Sequence, residues 1–487
     1  MQKAKPEFTR NLLASLFVLV ISFFVISFGI NETGQTWDEI AYYNGGKYFT
    51  QSFQNRDFSP QAWSANKEHP PLAKYLYALV SKKAYDQEIL NFTPGRYLSA
   101  FFLSFAVALA FILITGLFSL EIGIFTSLVL MLSPLFIAYG RILGMDSLSI
   151  LLFSATAFSY LVFAKSTGRI VDYVAPALLT GGCFLTRYNL PLVLPLLPLA
   201  IVLFAQKKDI LRRFWSLIFV PAIALVIFYL GWPYLWHDPI GAMQTSLGHW
   251  GQVKEYYLGQ SNAILPNSYF LVYYLLTTPA VVLVLFIVGL IQKFDRNKIY
   301  FFAWLILPFI NSFIGLKQGG IRYLLFVWIP LALFAALGLK SILNLVKNRA
   351  LKILLILAFA IYLVFQVVST YPYYLDYFNE FVGGPSGVYQ KKLMSLGWWG
   401  EGGERSAKYL NENAALSSKI WLNIKPGHTF GDLRDDLEKV EESDNPDYIV
   451  VNTAWKWSSS YMFPSNFEII HEEKVSGAPI MTILKKK

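Results

Sequence analysis

The chain has 487 residues, of which 55% are hydrophobic and only 15% are charged. Soluble proteins carry about 25% charged residues, so this composition excludes a set of ordinary soluble domains. The formal net charge is +10, but the basic residues stand mainly in short segments between apolar runs. That distribution is typical of membrane topology and argues against nucleic-acid binding. Cys183 is the only cysteine, which excludes a disulfide framework and a thiolate metal cluster.

Long apolar runs predict a polytopic α-helical membrane protein with about eleven spans, because a helix needs roughly 20 apolar residues to cross the hydrocarbon core. The runs lie near 11–30, 97–119, 121–140, 146–164, 170–186, 189–205, 214–231, 268–291, 299–316, 322–344 and 352–370. The first run resembles a signal peptide, but it is long and lacks a small-residue cleavage site. We therefore interpret it as an uncleaved anchor.

The basic residues between the runs predict the orientation. They cluster in alternate loops, at Lys165 and Arg169, at Lys207, Lys208, Arg212 and Arg213, at Lys293, Arg296 and Lys298, and at Lys347, Arg349 and Lys352. By the positive-inside rule these loops and the N-terminus lie on the cytoplasmic side of the cell membrane. Three polar regions then lie outside, at 31–95, 232–267 and 371–487.

The last polar region predicts a second domain. Residues 404–413 have a helical pattern, 419–424 and 447–452 are strand-like, and 467–484 predict a hairpin that turns near Gly477. We therefore expect a transmembrane domain at 1–370 and a small extracytoplasmic α/β domain at 371–487.

Charged residues gather at the outer ends of the predicted spans. They are Asp38 and Glu39 after the first span, Glu68 and His69 before a double proline, Arg96 at the second span, Arg141 and Asp146 between the third and fourth, and Lys317 and Arg322 between the ninth and tenth. A solvated loop charge or a snorkelling side chain explains any single one of them. Together, carboxylates and cations from separate loops of one face predict an acid/base and phosphate-binding pocket.

The motifs that carry these residues resemble a known family. The stretches are WDE after the first span, EHPPL, GR at the second span, an arginine and an aspartate separated by four residues before the fourth span, and the later WPYLWHDPIGA, IRYLLFVWIPLALFAALGL and LGWWGEGGERSAKYLNE. In this order they are similar to family 39 glycosyltransferases of the GT-C class, which include protein O-mannosyltransferases and the lipid A aminoarabinose transferase. The resemblance covers nearly the whole chain, although each motif is short.

The resemblance implies transfer of one sugar, mannose or another hexose or pentose, from a polyprenyl-phosphate carrier to a hydroxyl outside the cytoplasm, with inversion. Asp38 matches the catalytic aspartate, the general base on the acceptor. Glu39 and Glu68 would orient acceptor or donor groups, and Asp146 matches a second important acid. Arg96 matches an arginine that contacts the carrier phosphate. In this hypothesis Arg141, Lys317, Arg322 and His69 also contact that phosphate. His69 stands where some relatives carry lysine.

Several alternatives stay open. A transporter or flippase of a lipid-linked sugar would place its charges near the bilayer midplane, and a non-catalytic scaffold would leave the charge cluster unexplained. The acceptor is a protein, a lipid or a glycan, and the need for a divalent cation is open. His237 and Asp238 indicate a structural loop more strongly than they indicate a metal site. Trp398 and Trp399 favour packing over carbohydrate binding.

Overall fold

The computed structural model describes residues 4–166, 169–248, 254–313 and 320–487. The helices of the apolar part, in chain order, are α1 Ala4–Ser27, α2 Glu39–Gln54, α3 Leu72–Asp86, α4 Thr93–Leu117, α5 Leu120–Met131, α6 Pro134–Gly140, α7 Asp146–Lys165, α8 Val174–Phe184, α9 Leu196–Phe204, α10 Ile210–Phe214, α11 Ser216–Leu230, α12 Pro239–Leu247, α13 Tyr269–Thr277, α14 Ala280–Leu290, α15 Arg296–Ile306, α16 Trp328–Leu345 and α17 Arg349–Thr370. The predicted apolar runs coincide with these helices.

Membrane crossing is supported by length and hydropathy. Within the described ranges, five helices are long and apolar enough to span a bilayer, and up to seven if each of two bent helix pairs counts as one span. Three shorter apolar helices, 171–184, 190–204 and 216–230, coincide with other predicted runs. The count of about eleven spans stays a prediction, and the end of the predicted run 299–316 lies outside the described residues.

Two predicted spans are bent rather than straight. α5 and α6 meet at 69°, and α13 and α14 meet at 116°. Each second helix follows or begins at a proline, Pro134 or Pro279. Proline lacks an N–H and disfavours helical backbone in the residue before it, so the first helix of each pair ends there.

Helices α14 and α16 pack backbone against backbone. A Cβ atom on Gly289 would lie 1.9 Å from the Phe334 carbonyl oxygen, and one on Gly338 would lie 1.9 Å from the Leu285 carbonyl oxygen. Small residues allow such close contact between membrane helices. Glycine at both positions is therefore required for this packing.

The first polar region, 31–95, folds into α2 and α3. The second contains α12 and the hairpin of β1 (Lys254–Tyr257) and β2 (Gln260–Ile264). After α17 the chain forms α18 (Gly384–Lys391), and Tyr373, Leu375 and Phe378 are buried in the same core cluster as the membrane helices. This segment therefore joins the tail to the apolar part.

The predicted small C-terminal domain is confirmed. Its remaining elements are α19 Gly403–Asn413, β3 Lys419–Asn423, β4 Glu438–Val440, β5 Tyr448–Asn452, α20 Thr453–Ser458, β6 Phe467–Val475 and β7 Ala478–Lys486. The sheet order is β4-β3-β5-β7-β6, with β3 parallel to β4 and β5, and β7 antiparallel to β5 and β6. The hairpin turns at Gly477, which has a φ of +83°.

The tail contains two buried carboxyl groups, Asp376 and Glu401. Asp376 accepts a hydrogen bond from the Gly397 N–H at 2.8 Å, and Glu401 accepts one from the Trp399 N–H at 2.9 Å. One oxygen of each carboxyl, Oδ2 of Asp376 and Oε1 of Glu401, has no hydrogen-bond partner among the described residues. Burial raises the pKa of both groups, and the charge of Glu401 raises the pKa of Asp376 further.

Glu401→Gln is expected to weaken the dependence of stability on pH. When folding raises the pKa of a carboxyl group, the folded protein is more stable at low pH. That stability is lost as the pH rises from the pKa of the unfolded state to the pKa of the folded state. The wild-type melting temperature, measured in detergent between pH 5 and pH 8, should therefore fall more steeply than that of Glu401→Gln. The difference at pH 8 should be several °C, since 1 kcal/mol shifts a midpoint by roughly 2–8 °C. Exposed Glu412→Gln is the control, and parallel curves for both variants would contradict the expectation.

Candidate active site

The centre of the site is an ion pair between two distant parts of the chain. Asp38 immediately precedes α2, and its side chain does not cap that helix. Instead its Oδ2 lies 2.5 Å from Nη1 of Arg322, which begins the helical turn before α16. The Asp38 side chain is 27% exposed and the Arg322 side chain 13%. Asp38 is therefore paired with a cation and still accessible.

A cleft of about 260 Å³ opens onto this pair. Its lining residues are Trp37, Asp38, Ile40, Ala41, Tyr42, Asn66, Glu68, His69, Arg322 and His428. The structure thus brings together four of the predicted site residues, Asp38, Glu68, His69 and Arg322. It also adds His428 from the tail, which the sequence did not indicate.

Glu39 and Arg96 are turned toward each other beside the cleft. Arg96 Nε donates to Glu39 Oε1 at 2.7 Å, and Arg96 Nη2 to Oε2 at 2.6 Å. Glu39 also accepts from the N–H groups of Thr36 and Leu143, each at 3.0 Å. Arg96 Nη2 donates further to the Gly34 carbonyl at 2.6 Å. Both side chains are buried and their polar atoms are occupied, so in this structure the pair fixes the start of α2.

Asp146 is connected to the cleft through Arg187. Arg187 Nη1 lies 2.7 Å from Asp146 Oδ1 and 2.9 Å from the Arg322 carbonyl, and its guanidinium stacks over the Tyr323 ring at 4.2 Å. All of these side chains are largely buried. Arg187 was not predicted as a site residue, although a charge that interrupts an apolar run is itself a functional signal.

Lys74 holds the turn that carries Glu68 and His69 by hydrogen bonds to its backbone. Asn66 Nδ2 donates to Glu68 Oε1, and the His69 ring stacks on Tyr42 with centroids 6.1 Å apart. Lys74 Nζ is buried and donates to the carbonyls of Asn66 at 2.6 Å and His69 at 2.9 Å. Burial lowers the pKa of Lys74 to about 7, against the opposing effect of the Glu68 charge.

Lys74→Met is expected to loosen this turn and to remove a pH effect. An amine whose pKa is lowered by folding makes stability rise with pH between the folded value, about 7, and the ordinary one near 10.4. The melting temperature of wild type should therefore rise from pH 7 to pH 9 by more than that of Lys74→Met. The variant should also unfold more easily at both pH values, because two carbonyls lose a donor at about 1–3 kcal/mol each. Lys82→Met, an exposed lysine of the same helix, is the control, and equal melting curves would contradict the expectation.

Like Arg96, the predicted phosphate ligand Arg141 does not line the cleft. Arg141 is buried, donates Nη2 to the Gly29 carbonyl and lies against the rings of Tyr371 and Tyr374, with its Cζ 5.7 and 5.1 Å from their centroids. It is outside the cleft lining and, among the described residues, makes no ion pair with a carboxylate. Lys317 lies outside the described residues.

His237 and Asp238 have structural partners. His237 Nε2 lies 3.1 Å from the Phe58 carbonyl, and Asp238 caps α12 by accepting from the Gly241 N–H at 2.9 Å. Within the described ranges, no group of three His, Cys, Asp or Glu side chains is arranged to hold a metal.

Trp399 is buried with its ring 5.2 Å from the Arg322 guanidinium, and the Trp398 ring stacks on the Trp399 ring with centroids 5.0 Å apart.

Comparison with known proteins supports the fold. Apo ArnT from Cupriavidus metallidurans has a TM-score of 0.50 at 13% identity, covering 99% of this chain and 98% of ArnT. ArnT bound to undecaprenyl phosphate has a TM-score of 0.49 at 12% identity, covering 97% of each chain. The S. cerevisiae protein O-mannosyltransferase Pmt1–Pmt2 complex bound to the sugar donor has a TM-score of 0.37 at 16% identity, covering 51% of this chain and 39% of that one.

The family assignment comes from a shorter region. No curated protein sequence matches the chain significantly. Residues 68–232 match the family described as dolichyl-phosphate-mannose-protein mannosyltransferase, a region that includes Glu68, Arg96, Asp146 and Arg187. The resemblance stated from the sequence is therefore confirmed over residues 68–232, which are similar to the protein mannosyltransferase family, and the fold of the chain is similar to that of ArnT.

Proposed function

We propose that the protein transfers a single sugar from a polyprenyl-phosphate carrier to an acceptor hydroxyl at the outer face of the cell membrane, with inversion at the anomeric carbon. The observation that carries the proposal is the accessible Asp38 carboxylate paired with Arg322 in a cleft at the ends of the apolar helices. The matching family is described by dolichyl-phosphate-mannose, a sugar on a lipid phosphate, which supports this donor class.

Asp38 is the general base in this proposal. Its carboxylate takes the proton of the acceptor hydroxyl while the acceptor oxygen bonds to the anomeric carbon. The bond from that carbon to the phosphate oxygen breaks, and its electron pair leaves with the polyprenyl phosphate. The ion pair with Arg322 holds the Asp38 carboxylate at the cleft. The base and the leaving group lie on opposite faces of the sugar, which produces inversion.

The developing charge on the phosphate needs cations. Among the described residues, Arg322 is the cation that lines the cleft, so we assign its guanidinium to the phosphate side. Arg187, which is buried and donates to the Arg322 carbonyl, supports it from behind the cleft. Asp146 holds Arg187 in place. Lys317, Arg141 and His69 stay proposed phosphate ligands, and we propose that Glu68 contacts the sugar or the acceptor.

Glu39 and Arg96 have a different role in the proposal. Their mutual hydrogen bonds leave neither side chain open to a ligand. We therefore propose that they position Asp38 rather than orient the acceptor or bind the carrier phosphate. The carboxylate of Glu39 links α2 to α4 and to the Leu143 N–H, so the residue next to Asp38 is fixed on three sides.

The test is sugar transfer by purified protein in detergent from a panel of radiolabelled polyprenyl-phosphate monosaccharides, with and without EDTA. Transfer or hydrolysis with one donor supports the proposal and identifies the sugar, and the EDTA samples show whether a divalent cation takes part. Saturable binding of the carrier lipid with no turnover of any donor would contradict it and favour a lipid-linked sugar transporter.

A further inference from the structure

The tail contacts the segment that leads into Asp38. We call residues 31–38, between α1 and α2, the aspartate loop. At its start, Glu32 Oε2 forms an ion pair with Arg405 Nη2 of α19 at 2.6 Å. At its end, the Trp37 N–H donates to the Trp399 carbonyl at 3.0 Å. His428 Nε2 lies 3.0 Å from the Trp37 carbonyl oxygen.

These contacts fix Asp38 from two sides. Both backbone polar groups of Trp37, the residue before Asp38, are bound by the tail. Glu39, the residue after it, is bound by Arg96 of α4. The position of the Asp38 carboxylate therefore depends on the apolar helices and on the tail together, and movement of either would displace it.

His428 has a defined donor and acceptor pattern. A carbonyl oxygen only accepts hydrogen bonds, so the contact with Trp37 places a proton on Nε2 of His428. In the neutral ring this leaves Nδ1 as an acceptor. Because His428 also lines the cleft, it contributes a polar wall beside Asp38.

The turn that carries His428 is itself tightly packed. Thr429 Oγ1 donates to the Pro426 carbonyl at 2.9 Å. A Cβ atom on Gly400, which has a φ of +96°, would lie 2.2 Å from Thr429 Oγ1. The turn 427–429 thus rests directly on the loop that follows Trp399, so the two tail contacts to Trp37 form one support.

We propose that the tail is part of the catalytic centre, and that His428 is a positioning residue that holds the Trp37–Asp38 backbone and completes the cleft. The inference rests on the proposed function for its kinetic consequence, but its structural consequence can be measured without activity. It assigns to the tail a role in the reaction that neither the sequence motifs nor the matched region 68–232 includes.

The test compares three variants of the full chain in detergent, His428→Ala, His428→Gln and His471→Ala. Hydrogen exchange of the peptide that covers the aspartate loop should be faster in His428→Ala than in wild type, because one anchor of the loop is lost. The kcat of sugar transfer should fall about 10- to 100-fold, since a small displacement of a reacting group costs that much, with the donor KM unchanged. His428→Gln should restore most of both, because its amide can donate to the Trp37 carbonyl.

His471→Ala is the matched control, because His471 is a tail histidine that contacts Glu473 and Tyr409, not the aspartate loop. It should behave as wild type. Unchanged exchange of residues 31–38 in His428→Ala, or the same loss in His428→Gln as in His428→Ala, would overturn the inference. A wild-type protein without turnover would instead count against the proposed function, and the exchange experiment would still decide the positioning role.

Discussion

Asp38→Asn is expected to slow sugar transfer by about 10²- to 10⁴-fold, the usual contribution of a general base. The asparagine amide has nearly the same shape as the carboxylate, but it does not accept a proton from the acceptor hydroxyl. The ion pair with Arg322 is also lost, and because Asp38 is 27% exposed, water can hydrate the freed guanidinium. The fold and donor binding should therefore be retained while kcat falls.

Initial rates at saturating donor, together with donor binding and melting temperature, check this expectation. Asp86→Asn is the matched control, because Asp86 is an exposed aspartate at the end of α3 in the same polar region. A kcat for Asp38→Asn within about twofold of the control would remove Asp38 from the role of base, since removing a true base costs at least about 10²-fold.

Glu39→Ala is expected to have the largest effect on stability. It leaves the buried Arg96 guanidinium without a carboxylate and takes the acceptor from the N–H groups of Thr36 and Leu143. Breaking a buried ion pair by removing one partner costs about 3–5 kcal/mol. The variant should melt far below wild type in detergent and lose activity as a consequence.

The comparison that tests this is Glu32→Ala, which removes a carboxylate from an exposed pair with Arg405. Exposed pairs contribute about 0–1 kcal/mol, so this variant should melt close to wild type. The double variant Glu39→Ala with Arg96→Met should recover part of the lost stability, because it no longer buries an unpaired charge. Equal melting temperatures for Glu39→Ala and Glu32→Ala would show that the buried pair is not the stabilising contact.

The helices and the tail sheet were predictable because their signals are local. A run of apolar residues predicts a membrane helix wherever it lies, and the alternating pattern with a glycine at 477 predicts the hairpin β6–β7. The bends at Pro134 and Pro279 were not predicted. Proline marks where a helix ends, but the angle at which the next helix leaves, 116° at Pro279, is set by packing with other helices.

The site was predictable only in part, for a related reason. Because the loops that carry Asp38, Glu68, His69 and Arg322 were predicted to lie on one side of the membrane, these residues were expected to lie close together. That prediction did not include which cation pairs with which acid, because those choices join residues far apart, such as Glu39 with Arg96, 57 positions away. Lys74 was hidden because it lies on the buried face of a short helix, and His428 because no motif links the tail to the first polar region.

The contact between Trp37 and His428 joins residues 391 positions apart. Asp38 is among the first residues to leave the ribosome, whereas β7, which lies between β5 and β6, is added after every apolar helix. A nascent chain whose helices have already been inserted therefore holds its aspartate beside an unfinished cleft. Because His428 lies in the tail, its contact with Trp37 forms only after translation has passed the apolar helices, and on the proposed function a chain truncated before the tail would lack one anchor of its catalytic base.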